Sequence, residues 1–243
     1  MSFIVAANWK MHKSPEEATA FFSKFAENSI PEHVKVLFFV PAVTAVAASQ
    51  SQQLWGPQNI YPASHGAFTG ETSPQVMQGL GAQYALVGHS ERRSLFHESN
   101  ADTNLKVKSA QEFGLSPVLC IGETLQQRKS GDTLEVLKAQ LTEGLEGFEP
   151  SGELHIAYEP VWAIGTGEVA SVEQVSEAHQ FIRSFLKERF PQLEPKIQIL
   201  YGGSVKPGNA TELSQAQEVG GFLVGGASLQ ADSFADIIKA VQG

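Results

Sequence analysis

Three side chains in this 243-residue sequence are placed to do chemistry together: Lys10, His89 and Glu159. Each follows a short apolar run that reads as a buried strand, so each stands where a strand gives way to a loop. Taken singly, each has an ordinary explanation. A lysine after a strand is usually a solvated surface group, although Lys10 lies between Trp9 and Met11 on an uncommonly apolar loop, which favours a held ammonium. A lone histidine is more often structural than catalytic. His89, however, precedes the charged turn Ser90-Glu91-Arg92-Arg93. A histidine near a helix N-terminus has its charged form disfavoured, which suits it to act as a neutral acid. Glu159 ends an apolar run, where a carboxylate is costly unless it has a partner or a task. That partner could be a lysine or arginine of a neighbouring strand.

The segment after Glu159 reads Pro160-Val161-Trp162-Ala163-Ile164-Gly165-Thr166-Gly167. Proline at one end, two glycines at the other and large apolar residues between make either a well-packed loop or a lid that excludes water when closed. Gly202-Gly203-Ser204 follows one apolar run. Gly225-Gly226-Ala227-Ser228 follows another and is read as opening the last helix. Glycine lets a backbone approach a ligand closely, and helix N-termini present unpaired N–H groups to anions. Turns use glycine pairs as well, but two such pairs after successive apolar runs point to a phosphate. A carboxylate base, a neutral acid and a lysine beside an anion cradle suggest proton abstraction next to a carbonyl in a small phosphorylated sugar. The sequence has no HExxH, Asp-rich loop, cysteine set, GxSxG elbow or Walker loop, so no metal and no cofactor are expected.

The elements that must hold these groups repeat as a pattern. Apolar runs rich in β-branched and aromatic residues fall at Phe3–Ala7, Val34–Val40, Gln58–Tyr61, Tyr84–Val87, Pro117–Ile121, Leu154–Tyr158, Ile197–Tyr201 and Phe222–Val224. Continuous runs of this length suit strands buried on both faces. Between them lie helical segments. Ser14-Pro15-Glu16-Glu17 and Ser171-Val172-Glu173-Gln174 have the form of capping boxes. Val172, Val175, Ala178, Ile182 and Leu186 then make one apolar stripe, and Phe234, Ile237, Ile238 and Val241 make another. Eight alternating units of about 30 residues fit one (β/α)8 barrel domain spanning residues 1–243, with its chemistry on the loops at the C-terminal ends of the strands. An open doubly wound sheet is the competing arrangement. It is weakened because Asn8-Trp9-Lys10-Met11 lacks the glycines of a dinucleotide loop.

Composition limits the partners. With 42% hydrophobic and 18% charged residues the chain is that of an ordinary globular protein. Its net charge of −9 makes nucleic acid and anionic membranes poor partners. Cys120 is the single cysteine, so no intramolecular disulfide forms. Met1 to Lys10 lacks the features of a signal peptide, and no apolar stretch reaches the ~20 residues that span a bilayer, so a cytoplasmic location is expected.

The motifs around Lys10, His89 and Glu159, with Tyr201-Gly202-Gly203-Ser204-Val205 and Gly221-Phe222-Leu223-Val224-Gly225-Gly226-Ala227, resemble in order and spacing the signatures of the triosephosphate isomerases, over essentially the whole chain. The resemblance implies a TIM barrel that interconverts dihydroxyacetone phosphate and glyceraldehyde 3-phosphate. It casts Glu159 as the base, His89 as a neutral electrophile, Lys10 as the cation that steadies the enediolate, and Asn8 as its companion. Glu91 would be the partner of Lys10. Residues 160–167 would be a lid closing on the phosphate, the family being itself a standard case of lid closure. Gly165, Ser204, Gly225 and Gly226 would hold the phosphate. Gly66-Ala67-Phe68-Thr69-Gly70-Glu71 resembles the family's long third loop, with Thr69 at its tip, and implies a two-fold homodimer.

Three departures stand out. Ala6-Ala7 and Met11-His12-Lys13 differ from the commonest family versions. Gly220 stands where many members have an aspartate paired with the equivalent of Arg183. Arg183 is therefore expected either to find another acid or to face water.

Overall fold

The computed structural model describes residues 2–149, 152–165, 168–193 and 196–241. Eight strands alternate with helices: β1 (Phe3–Asn8), β2 (Val34–Val40), β3 (Leu54–Pro57), β4 (Tyr84–Val87), β5 (Ser116–Ile121), β6 (His155–Tyr158), β7 (Ile199–Tyr201) and β8 (Gly221–Val224). Their order is β3-β2-β1-β8-β7-β6-β5-β4, and each neighbouring pair in it runs parallel. The two ends of this order meet. The Gln83 N–H donates to the Trp55 carbonyl at 3.0 Å, and a Cβ on Gly56 would lie 2.0 Å from the Tyr84 carbonyl oxygen. The sheet is thus a nearly closed (β/α)8 barrel, and the open doubly wound alternative is excluded.

The third strand corrects the sequence reading, which placed it at Gln58–Tyr61. The strand is Leu54–Pro57, and Gly56-Pro57 looks like a turn only out of context. Gly56 is there because β4 comes too close for a side chain. Pro57, which has no N–H to give a ladder, is the last residue of the strand, where the chain turns into the loop. Gln58 leaves the strand, and its side-chain amide donates to the Phe39 carbonyl at 3.1 Å. Elsewhere the expected strands hold, with one or two residues gained or lost at the ends.

Outside the strands lie α1 (Pro15–Phe25), α2 (Ala45–Gln50), α3 (Pro74–Gly79), α4 (Ser90–Leu95), α5 (Asn100–Glu112), α6 (Leu125–Ser130), α7 (Thr133–Gly144), α8 (Val172–Arg189), α9 (Pro207–Ser214) and α10 (Ala231–Ala240). Both expected capping boxes form, at Ser14 with Glu17 and at Ser171 with Gln174. The glycines after β8 do not open α10. They lead into a separate 3-10 turn, Gly226–Leu229, because the chain must bend across the barrel mouth before the apolar stripe of α10 can pack.

The alternation of side chains splits the core into two shells. One face of the strands packs outward against the helices: Phe38 meets Phe21, Phe22 and Phe25 of α1 and Phe234 of α10. The other face fills the barrel with Ile4, Ala6, Leu37, Phe39, Leu86, Val118, Cys120, Ala157, Leu200 and Leu223. The same period of two places Asn8 above Ala6 and Glu159 above Ala157 at the C-terminal rim.

The α8 stripe includes a polar member that the apolar pattern did not reveal. His179 is fully buried beside Tyr158, and its Nδ1–H donates to the Glu218 carbonyl at 3.1 Å. Burial drives its pKa down to about 4, helped by Arg183 and opposed by the Glu218 carbonyl. A folded-state value below the unfolded value of about 6.5 means that unfolding takes up a proton between the two. The stabilisation is complete above the unfolded value and is lost as pH falls toward about 4, by about 3 kcal/mol in total. Urea unfolding near neutrality and near the lower limit should show this fall. His179→Asn, which keeps a donor to the carbonyl but does not titrate, should show a fall smaller by about that amount. Equal pH slopes in the two proteins would refute the assignment.

Arg183 does find another acid. Its Nε donates to Glu218 at 2.9 Å, and one terminal nitrogen donates to the Ile197 carbonyl at 2.8 Å. At Gly220 a Cβ would lie 2.0 Å from the Gln198 side-chain oxygen, so the space of an aspartate is filled by Gln198.

Candidate active site

A cavity of about 400 Å³ opens at the C-terminal rim, lined by Asn8, Lys10, His89, Glu159, Gly165, Ser204, Gly225 and Gly226 among others. These eight residues come from five strand ends, and the barrel brings them to one place. Glu91 stands just behind. It accepts from the Lys10 ammonium at 2.5 Å and lines an adjoining hollow. Thr69 lies apart, exposed on the loop between β3 and α3.

Lys10 takes a left-handed backbone, φ 52°, steadied by its N–H donating to the Asn8 side-chain oxygen at 3.1 Å. That turn sends the ammonium across to Glu91 on α4. The lysine is thus tethered, as the apolar loop suggested.

Glu159 is 2% exposed, and both its oxygens are engaged. The Ser90 N–H donates to one at 2.9 Å, and His89 Nε2 lies 3.0 Å from the other. Burial pushes the Glu159 pKa up, but His89, the Ser90 N–H and Lys10 pull harder, and the net shift is downward. The group is therefore a carboxylate at neutral pH, the form a base requires.

His89 caps α4. Its Nδ1 accepts the Glu91 N–H at 3.2 Å, so the ring hydrogen of the neutral imidazole sits on Nε2, facing Glu159. The pKa balance differs from the sequence reading, which weighed only the helix end. Burial lowers the His89 pKa, but the Glu159 and Glu91 carboxylates raise it further, leaving it above its ordinary value. Two influences conflict here: Glu159 favours an imidazolium, while a second ring proton on Nδ1 would confront the Glu91 N–H.

The glycines divide by role. A Cβ on Gly202 would lie 2.8 Å from the Glu159 side chain, and one on Gly203 would lie 2.1 Å from the Tyr201 hydroxyl. This pair serves the packing of β6 and β7. Gly226 has open space around it and Gly225 meets only the Lys10 side chain at 3.5 Å, so their backbone remains approachable from the cavity.

Of the segment 160–167, Pro160 to Gly165 are described and Thr166 and Gly167 lie outside the described residues. Val161–Ala163 form a 3-10 turn, and Trp162 Nε1–H donates to Glu123 at 2.9 Å. Glu123, fully buried, also accepts from the Tyr158 hydroxyl at 3.1 Å. Among the described residues, no three His, Cys, Asp or Glu side chains gather as a metal site.

Residues 3–241 match the protein family described as triosephosphate isomerase. A Bdellovibrio bacteriovorus protein named triosephosphate isomerase is 49% identical, the match covering 98% of this chain and 99% of the relative. Proteins of the same name from Oleidesulfovibrio alaskensis and Syntrophotalea carbinolica are 47% and 44% identical, with 99% and 97% of this chain covered. The chain belongs to the triosephosphate isomerase family. It is accordingly an enzyme of the isomerase class on a TIM barrel, as the motifs implied. No helix of its described residues is long and apolar enough to cross a membrane.

Sequence reasoning on this triosephosphate isomerase family member missed two groups at the site. Ser90 orients Glu159 through its backbone, and only its place at the first position of α4, just after the His89 cap, signals that. Glu123 carries no motif, and its signal is the cost of a fully buried carboxylate.

Proposed function

We propose that the chain interconverts dihydroxyacetone phosphate and D-glyceraldehyde 3-phosphate by proton transfer through an enediolate. The observation that carries this reading is the contact of a buried, ionised Glu159 with the Nε2 side of His89, in one cavity with Lys10. In the proposed mechanism Glu159 turns from His89 to the substrate, removes a carbon-bound proton and returns it to the neighbouring carbon. That turn removes the main influence raising the His89 pKa. The Nε2–H then polarises the carbonyl as a neutral donor and moves protons between the oxygens. Lys10, tethered by Glu91, and Asn8 stabilise the charge that develops on oxygen, where aimed donors in a dry site are most effective. The backbones of Gly165, Ser204, Gly225 and Gly226 hold the phosphate. The lid 160–167 closes over it and restricts solvent access to the intermediate. No metal and no cofactor take part.

The whole chain, 1–243, acts as one barrel domain, in the cytoplasm, as a homodimer. The hollow lined by Lys10, Met11, Glu71, Glu91 and Phe96 supports the dimer. Met11 is 95% exposed at its rim, and Phe96 66%. A Thr69 loop from a second copy would cover both. Nucleic acid and membranes are not partners.

The direct test is an assay of purified, chelator-treated protein for conversion of glyceraldehyde 3-phosphate, coupled to NADH oxidation. Fast turnover is expected. Folded protein that binds phosphoglycolate tightly without turnover would instead make this a binding barrel.

A further inference from the structure

The first loop carries a histidine that this chemistry leaves unused. His12 Nδ1 lies 2.8 Å from the Trp9 carbonyl oxygen. A carbonyl only accepts, so Nδ1 keeps its hydrogen, and Nε2 is the nitrogen that gains or loses a proton. Trp9 is fully buried, which gives this anchor a rigid base. His12 belongs to two walls. On one side it lines the proposed substrate cavity with Ser204, Gly225 and Gly226. On the other it lines an open groove beside α1 with Lys13, Glu17 and Lys24. It is not part of the hollow that Met11 shares with Glu91 and Phe96, so the proposed partner loop enters elsewhere.

We propose that His12 is a further phosphate-binding residue, whose Nε2 takes up a proton from solvent as a substrate dianion enters and whose imidazolium then holds that dianion at the cavity mouth. This inference rests on reading the cavity as a triose phosphate site. A chain of net charge −9 repels a dianion at long range, so cations at the mouth carry weight in binding. The charged and titratable groups around His12 are Lys10, His89, Glu159 and Lys206 on the cavity side and Lys13, Glu17 and Lys24 on the groove side. Several of the lysines are engaged: Lys10 with Glu91, Lys24 with Asp232, and Lys13 with the Leu229 carbonyl and the faces of Trp9 and Phe21. Imidazole is the side chain whose charge ordinarily changes between about pH 5 and 8, so its contribution should change with pH where that of a lysine would not.

The test compares KM and kcat of wild type and His12→Asn for glyceraldehyde 3-phosphate at about pH 6 and about pH 8.5. Asparagine offers the Trp9 carbonyl a donor but has no second nitrogen on a ring to protonate. The variant's KM should exceed that of wild type by about threefold or more at the lower pH and match it at the higher, with kcat within about twofold throughout. Taking the ratio at each pH cancels the titration of the substrate's own phosphate. A ratio independent of pH overturns the inference. So does a lowered kcat at unchanged KM, which would assign His12 to holding the Lys10 loop alone. An inactive wild type would instead bring down the isomerase reading itself, and this inference with it.

Discussion

Glu159→Gln should lower kcat by about three orders of magnitude while moving KM by no more than a few-fold, since general bases contribute about 10²–10⁴ in rate. The substitution keeps volume and removes the charge that takes the proton. It also has a structural cost that the hydrogen bonds make explicit. In the wild type both carboxylate oxygens face donors, the Ser90 N–H at 2.9 Å and His89 Nε2 at 3.0 Å. An amide has one accepting end, so one of those donors meets an NH2 group. His89 cannot easily adapt by moving its hydrogen, because Nδ1 already accepts the Glu91 N–H. Loss of about 1–3 kcal/mol of stability is therefore expected alongside the loss of rate. Glu159→Asp separates the two effects. It keeps both acceptors and the charge but withdraws them by one methylene, and should still lose about 10² in kcat through misplacement. Steady-state kinetics with a urea melt on each protein reads both quantities. If Glu159→Gln retained more than about a tenth of wild-type kcat, Glu159 would not be the base.

Much of this arrangement is legible in the chain because barrel strands buried on both faces are written as unbroken apolar runs. Seven of the eight strands lie where such runs predict them. The exception carries Gly56-Pro57, and no local signal tells a glycine required by a neighbouring strand from a glycine that makes a turn. The site was legible for a related reason. Asn8 and Glu159 continue the inward-facing positions of β1 and β6, so their appearance at the end of an apolar run is itself the geometric information. What could not be read was long-range electrostatics. The pull of Glu159 on His89, the pairing of Arg183 with Glu218 and the fully buried Glu123 all join residues about 30 or more positions apart, and only the closed barrel brings them together.

The position at which fold and chemistry are most tightly joined is Gly122, and Gly122→Ala is expected to cost more than about 4 kcal/mol of stability and most of the activity. An added Cβ would stand 1.8 Å from the Glu159 carbonyl oxygen and 2.6 Å from its carbonyl carbon. Both are backbone atoms, so no side-chain rotation relieves the overlap. The two strand ends are fixed where the methyl would enter: the Glu159 N–H donates to the Ile121 carbonyl at 2.7 Å. Gly122 itself is clamped through its N–H and its carbonyl by the side chain of Gln140 on α7, at 2.7 and 3.1 Å. Relief must then come from parting β5 and β6 at their C-terminal ends, which carries the Glu159 carboxylate away from Ser90 and His89. A displacement of about 1 Å there is enough to cost about 10² in rate, beyond any loss of folded protein. Gly79→Ala is the matched control. It lies at the end of α3 with no atom within 4 Å of an added Cβ, and should be neutral or stabilising by up to about 1 kcal/mol. Thermal unfolding and kcat measured on the two variants decide the matter. Gly122→Ala with wild-type stability would mean that β5 and β6 separate freely, and Glu159 would then owe its position to Ser90 and His89 rather than to the strands beneath it.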